Sequence, residues 1–175
     1  TVAAIAWQFI LSPSLGLVPY WIQQLTGIAH VDLLGTRETA MAAIVFITVW
    51  KNFGYNMVIF LAGLQAIPRD LYEAARIDGA SELKIFFLVV IPQMKGTIIT
   101  VFVTVFIMVM KIFDIVYVMT NGNFKTNVIA NMFFQELFVQ RNAGKASAIV
   151  VILLIAVIPV LIYQVRHFKR EEAER

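Results

Sequence analysis

"LYEAARIDGASELKIFFLVVIPQMK", Leu71 to Lys95, decides the fold. Its first half is charged and rich in alanine; its second half is almost wholly apolar. The surrounding segment, residues 68–96, sets the acids Asp70, Glu73, Asp78 and Glu82 against the bases Arg69, Arg76, Lys84 and Lys95. Pro68 stands where a helix can start, because a first-turn residue has no use for its N–H. Asp70 and Glu73 then fall in the first turn, where the helix dipole favours anions. Gly79 is the expected left-handed stop. The pattern predicts a helix of about eleven residues, roughly 16 Å long. Ser81 can cap a second helix, with Glu82 in its first turn, and Pro92 interrupts or kinks it before the next apolar run. The first helix is too short to be stable alone. Leu71, Ala74, Ala75 and Asp78 share one side of it, small and apolar at the centre with charge around. Two readings stand: a plug for a polar-rimmed groove in another protein, or an interfacial helix resting on its own protein or on lipid.

The rest of the chain names the solvent. Of 175 residues, 60% are hydrophobic and 14% charged, whereas soluble domains hold about 25% charged residues. So little polar surface fits a bilayer. There is no cysteine, hence no disulfide framework or thiolate metal site. His30 and His167 lie far apart and offer no ligand cluster, so no metal site is expected. The bases are scattered or sit at segment ends, without the basic face that nucleic acid requires.

A spanning helix needs about 20 mostly apolar residues. Three segments qualify: Ala40 to Ala66, Thr97 to Val118, and Ala146 to Val165 with a kink expected at Pro159. Val2 to Leu11 reads as the tail of a fourth, so the chain is expected to be N-terminally incomplete. Lys and Arg in short loops set orientation. Arg69, Arg76, Lys84 and Lys95 mark one loop, and Arg166, Lys169, Arg170 and Arg175 mark the tail. Residues 12–39 hold only Arg37, and residues 119–144 only Lys125 and Arg141. The opening stretch, the Leu71–Lys95 region and the tail are therefore expected on the cytoplasmic side.

"EAARIDGASELKIFFLVVIP" resembles the EAA loop of binding-protein-dependent importer permeases, the inner-membrane components of ATP-binding-cassette importers. The pattern is Glu-Ala-Ala, three residues, Gly, nine residues, then Ile-x-Leu-Pro. Glu73, Ala74, Ala75, Gly79 and Pro92 match it; Val89 and Ile91 depart mildly. "GLQAIPRDLYEAARIDGA" and "KIFDIVYVMT" look like the sugar-importer branch. "TNGNF", Thr120 to Phe124, stands where many relatives have a Gly-Gly-Pro turn and points toward the alpha-glucoside subgroup. The resemblance covers nearly the whole chain, as the C-terminal part of one permease domain over residues 1–175. It implies an all-α, polytopic transmembrane bundle of the type I importer fold in a bacterial or archaeal inner membrane. It further implies a cytoplasmic coupling helix built on Glu73, Ala74, Ala75, Asp78 and Gly79, seated in a separate ATPase subunit. The implied partners are an ATPase dimer, a second permease, an external solute-binding protein and a sugar. ATP and magnesium would be held by the ATPase, since the chain has no G-x-x-x-x-G-K-[ST] stretch of its own.

Polar residues at bilayer depth need an account, because a lysine there costs at least about 2.5–3.5 kcal/mol on insertion scales. Lys51, Asn52, Tyr55 and Asn56 occur together in "WKNFGYN", and Asn52, Tyr55 and Asn56 share a helix face. They can line a solute path, or Lys51 can snorkel while the amides bond neighbouring helices. The resemblance places the positions of Lys51, Asn52 and Tyr55 at the sugar site, with Met108 and Ile112 as apolar wall. Lys111 and Asp114, at i and i+3, are expected to neutralise one another. Two other functions remain in view. An ion-coupled carrier or channel would use that pair as a relay. A membrane enzyme would need H-E-x-x-H or G-x-S-x-G, and neither occurs, so no catalytic residue is expected.

Overall fold

The computed structural model describes residues 2–28 and 30–173, with side chains described as far as Arg166. Glu174 and Arg175, at the end of the cationic tail, lie outside the described residues. These residues form helices and turns, without a strand among them. In chain order the helices are α1 (Val2–Ile10), α2 (Leu17–Thr26), α3 (Arg37–Gln65), α4 (Arg69–Ile77), α5 (Glu82–Gln93), α6 (Lys95–Met110), α7 (Asp114–Met119), α8 (Ile129–Val139) and α9 (Ala143–Ala173).

Among the described residues two helices are long and apolar enough to cross a bilayer unaided, α3 and the Ala143–Arg166 part of α9. The 29 residues of α3 reach about 43 Å at 1.5 Å per residue, beyond the roughly 30 Å of hydrocarbon. Helix α9 runs on through Pro159 without a break in its assignment. A further apolar stretch is a bent pair: α5 and α6, long and apolar enough together for a broken span or a re-entrant loop, meet at 66° across Met94. The bend has visible causes. Pro92 lies in the short turn before it and removes a backbone donor. Phe86–Val90 is wound as a π-helix, a form that appears as single-turn bulges within α-helices.

The second span departs from the sequence expectation. The straight helix stops at Met110, residues 111–113 are non-helical, and α7 starts afresh at Asp114. Thr97 to Val118 is therefore not one rod. Asp114 sits in the first turn of α7, where an acid complements the dipole. Its charge marks a helix start inside what composition presents as one apolar run.

The contacts divide the chain into two units. The first comprises residues 1–52 and 108–155. Its core is Ala4, Leu11, Ile44, Ile47, Ile115, Val116 and Met119, drawn from α1 and the turn after it, α3 and α7. Trp7 of α1 meets Phe46 and Trp50 of α3 edge-on, at 5.4 Å in each case. The second unit comprises residues 53–107 and 156–175. Its core is Ile67, Ile85, Val90 and Met94, with Tyr72, Ala75 and Ala80 packed against it.

Within the second unit α3 and α6 approach closely at Gly63. A Cβ there would lie 2.6 Å from Thr97 Oγ1 and 2.8 Å from Thr97 Cγ2. Small residues let membrane helices come this near. Gly63→Ala is expected to destabilise the solubilised protein by about 1–3 kcal/mol through overpacking. Adding Thr97→Ala should restore most of the loss, read from thermal unfolding in detergent. An undiminished transition in Gly63→Ala would contradict this packing.

Candidate functional site

Helix α4 is the most polar of the helices and is held rigidly. Pro68 occupies its N-cap position, Asp70 its first turn and Arg76 its last. Beyond Asp78 the chain turns left-handed at Gly79, φ 73°. The Gly79 N–H donates to the Arg76 carbonyl and the Ala80 N–H to the Ala75 carbonyl, both at 3.0 Å. This pair of bonds is a Schellman stop, and glycine is the residue that takes its left-handed position without a Cβ penalty. Arg76 then reaches forward to Glu82, Nη2–Oε1 3.1 Å and Nε–Oε1 3.2 Å. Two prongs on one carboxylate oxygen fix the angle of α4 on α5, although so exposed a pair adds little stability. Ser81 precedes α5 as expected, but its hydroxyl makes no capping bond.

The burial pattern splits the face expected from sequence. Tyr72 and Ala75 turn into the core of their unit, so Ala75 serves the chain's own packing. Asp70, Glu73, Ala74, Ile77 and Asp78 stay exposed. Ile77, 85% exposed, is the apolar side chain left outermost, and Leu71 is only marginally so at 37%. Asp70, Glu73 and Asp78 make no ion pair among the described residues. The helix therefore presents three unneutralised acids around an alanine and an isoleucine. Ile77 was missed by sequence reasoning, which looked for one apolar stripe. Its position four residues from Glu73 was the available signal.

The polar row on α3 is differently employed. Lys51 Nζ lies 3.6 Å from Asp114 Oδ2, both side chains partly exposed. The expected Lys111–Asp114 pair does not form: the break after Met110 removes the helical i, i+3 geometry, and Asp114 turns to α3. The Asn52 amide donates to the Thr48 carbonyl at 2.7 Å, one turn back on its own helix. The Asn56 Oδ1 is buried without a hydrogen-bond partner among the described residues, which leaves an acceptor for water, a neighbour or a solute hydroxyl. Tyr55 is 59% exposed on the same helix. Met108 is half-buried near the end of α6, and Ile112 packs on the core of the first unit. Among the described residues no group of three or more His, Cys, Asp or Glu could hold a metal ion.

Residues 2–171 match the family described as "Binding-protein-dependent transport system inner membrane component". The chain belongs to this family. Among the relatives of this inner-membrane component is the "Osmoprotective compounds uptake permease protein GgtC" of Synechocystis sp. They are 40% identical over 179 residues, covering 99% of this chain and 64% of that protein. The "Alpha-glucoside transport system permease protein AglF" of Rhizobium meliloti is 37% identical, covering 97% of this chain and 52% of that one. The "Trehalose/maltose transport system permease protein MalF" of Thermococcus litoralis is 34% identical, with 97% and 58% covered. The chain thus spans between about half and two thirds of the length of these relatives. In fold it is similar to a chain of a solved bacterial alginate ABC transporter, a complex with an alginate pentasaccharide-bound periplasmic protein. The TM-score is 0.79 at 22% identity, over 93% of this chain and 57% of that one. The inner-membrane component accordingly has the multi-pass, all-helical ABC permease fold.

Proposed function

We propose that the chain is part of the membrane-spanning subunit of an ATP-driven, binding-protein-dependent importer of sugars. Its role is mechanical. Helix α4 seats in a cleft of a cytoplasmic ATPase, and closure of an ATPase dimer drags α4 and the spans attached to it. ATP and magnesium belong to that ATPase. A second permease completes the path, and an external solute-binding protein delivers the sugar. The carrying observation is the build of α4: a two-bond stop at Gly79, an Arg76–Glu82 clamp, and an outward acidic face that the fold itself leaves unneutralised. A rigid lever with an unsatisfied face fits a partner cleft with a basic rim. The relatives named for alpha-glucosides and for trehalose and maltose support a sugar as cargo. The carrier reading rested on a Lys111–Asp114 dyad, which the structure separates.

The test is reconstitution of the full-length protein with its partner permease and ATPase in liposomes. Sugar uptake should require ATP and the binding protein together; uptake driven by an ion gradient alone would overturn the proposal. Within the same assay Tyr55→Ala is expected to alter sugar preference by about tenfold, equivalent to about 1.4 kcal/mol, at unchanged ATPase binding. An unaltered preference profile would return Tyr55 to packing.

A further inference from the structure

A second polar site lies in the first unit. A cleft of about 380 Å³ opens among Gln8, Asp32, Tyr117, Asn121, Asn123 and Phe124. Such a volume falls within the range of small-molecule pockets. The Lys/Arg bias assigns residues 12–39 and 119–144, which supply most of this lining, to the outer side. The lining combines a carboxylate, three amides and two aromatic rings. Amides and a carboxylate donate and accept at several points, as a ring of hydroxyls requires, and an aromatic face suits the apolar side of a pyranose.

The walls are prebuilt. Asn121, Phe124 and Lys125 all take positive φ, 50°, 56° and 59°. Such conformations cost of order 1–3 kcal/mol each, persist only where the surroundings enforce them, and cluster at ligand clamps. Here the enforcement is explicit. Thr120 and Thr126 are buried with their hydroxyls 2.6 Å apart. The Thr126 hydroxyl also lies 2.6 Å from the Asn123 carbonyl, and the Gln135 amide donates to the Asn121 carbonyl at 3.0 Å. Gly122 lies against Asn127 and Asn131, where a Cβ would sit 2.7 Å from either side chain. On the opposite wall Asp32 Oδ1 accepts the Leu34 N–H at 2.9 Å, and its carboxylate folds over Gly35, which has no Cβ to obstruct it. The fold spends strain on this loop while the side chains of Gln8 and Asn123 make no bond among the described residues.

We propose that this outer cleft is a subsite for a neutral polyhydroxylated solute, holding a sugar before it enters the membrane, with the Asp32 carboxylate disfavouring anionic sugars. The inference rests on the reading of the chain as a sugar importer subunit. The test uses the full-length protein assembled with its partner subunits in nanodiscs, without binding protein. Saturation-transfer NMR is recorded with maltose, trehalose and sucrose, and with D-glucuronate as the anionic probe. At least one neutral disaccharide should receive saturation from the wild type. That signal should fall at least fivefold in Gln8→Ala/Asn123→Ala and in Asn123→Ala alone, at an unchanged thermal transition. Asp32→Asn, which keeps the acceptor for Leu34, should raise the glucuronate signal at least fivefold. Equal disaccharide signals in wild type and both amide variants, or none in wild type, would overturn the subsite. ATP-driven uptake of the same three disaccharides is measured in parallel in liposomes, with the binding protein present. Its absence would overturn the importer reading, whereas normal uptake with insensitive cleft variants would overturn the subsite alone.

Discussion

Glu73→Lys is expected to reduce ATP-driven uptake to below about a tenth of wild type while the protein reaches the membrane in normal amounts. Glu73 is exposed and has no ion-pair partner among the described residues. Surface changes of that kind usually move stability by no more than about 0.5 kcal/mol. At a docked interface the effect is different. Losing one member of a buried, hydrogen-bonded charge pair costs about 2–5 kcal/mol, much of it from the stranded partner charge, and reversal adds repulsion against a basic rim. The expected signature is therefore a split: loss of ATPase co-purification and uptake, with unaltered membrane abundance and melting. Glu82→Lys provides a contrast, since Glu82 already serves Arg76 inside the chain; it should loosen α4 against α5 while shifting the melting transition little, because so exposed a pair adds little stability. Uptake at wild-type rate in Glu73→Lys would count against docking through this face.

Lys51→Ala should destabilise the membrane domain through Asp114. Both charges sit on apolar helices, and a charge at bilayer depth costs about 2.5–3.5 kcal/mol on insertion scales. Removing the lysine takes from the carboxylate the ion-pair partner that α3 supplies. Because both side chains remain partly exposed, the penalty is expected below the ~3–5 kcal/mol of a fully buried broken pair. A double-mutant cycle with Asp114→Ala should give a coupling of about 1 kcal/mol. Lys111→Ala should have little effect. A Lys111 variant as damaging as Lys51→Ala, or a cycle with no coupling, would contradict the pairing.

Much of this was legible in the sequence, for identifiable reasons. Pro68, Asp70 and Gly79 are local signals whose physics acts within one helical turn, and the α4 boundaries followed them closely. The family pattern from Glu73 to Pro92 carried the fold. What was missed depended on distant residues. Nothing near Asp114 announces Lys51, which lies over 60 positions earlier, so the nearer Lys111 took its place in the reading. Helix α8 stays hidden in the sequence because its eleven residues, Ile129–Val139, are too few to span. The division of Ala74 from Ala75 was hidden for another reason. Neighbouring alanines are chemically alike, and only packing against the core of their unit, which takes in Tyr72 and Ala75, decides which one turns inward. Likewise the cleft wall at Asn121 to Lys125 shows no glycine at three of its left-handed positions, so composition gave no warning of them.

The most direct measurement exploits the absence of cysteine from these 175 residues. Ile77→Cys is introduced into the full-length protein, with any cysteine elsewhere replaced, and treated with a membrane-impermeant maleimide. In inside-out vesicles stripped of ATPase it should react rapidly, and adding the ATPase back should protect it at least tenfold. In right-side-out vesicles it should stay unreacted. Reaction from the outer side, or equal reactivity with and without the ATPase, would contradict a cytoplasmic lever gripped through α4.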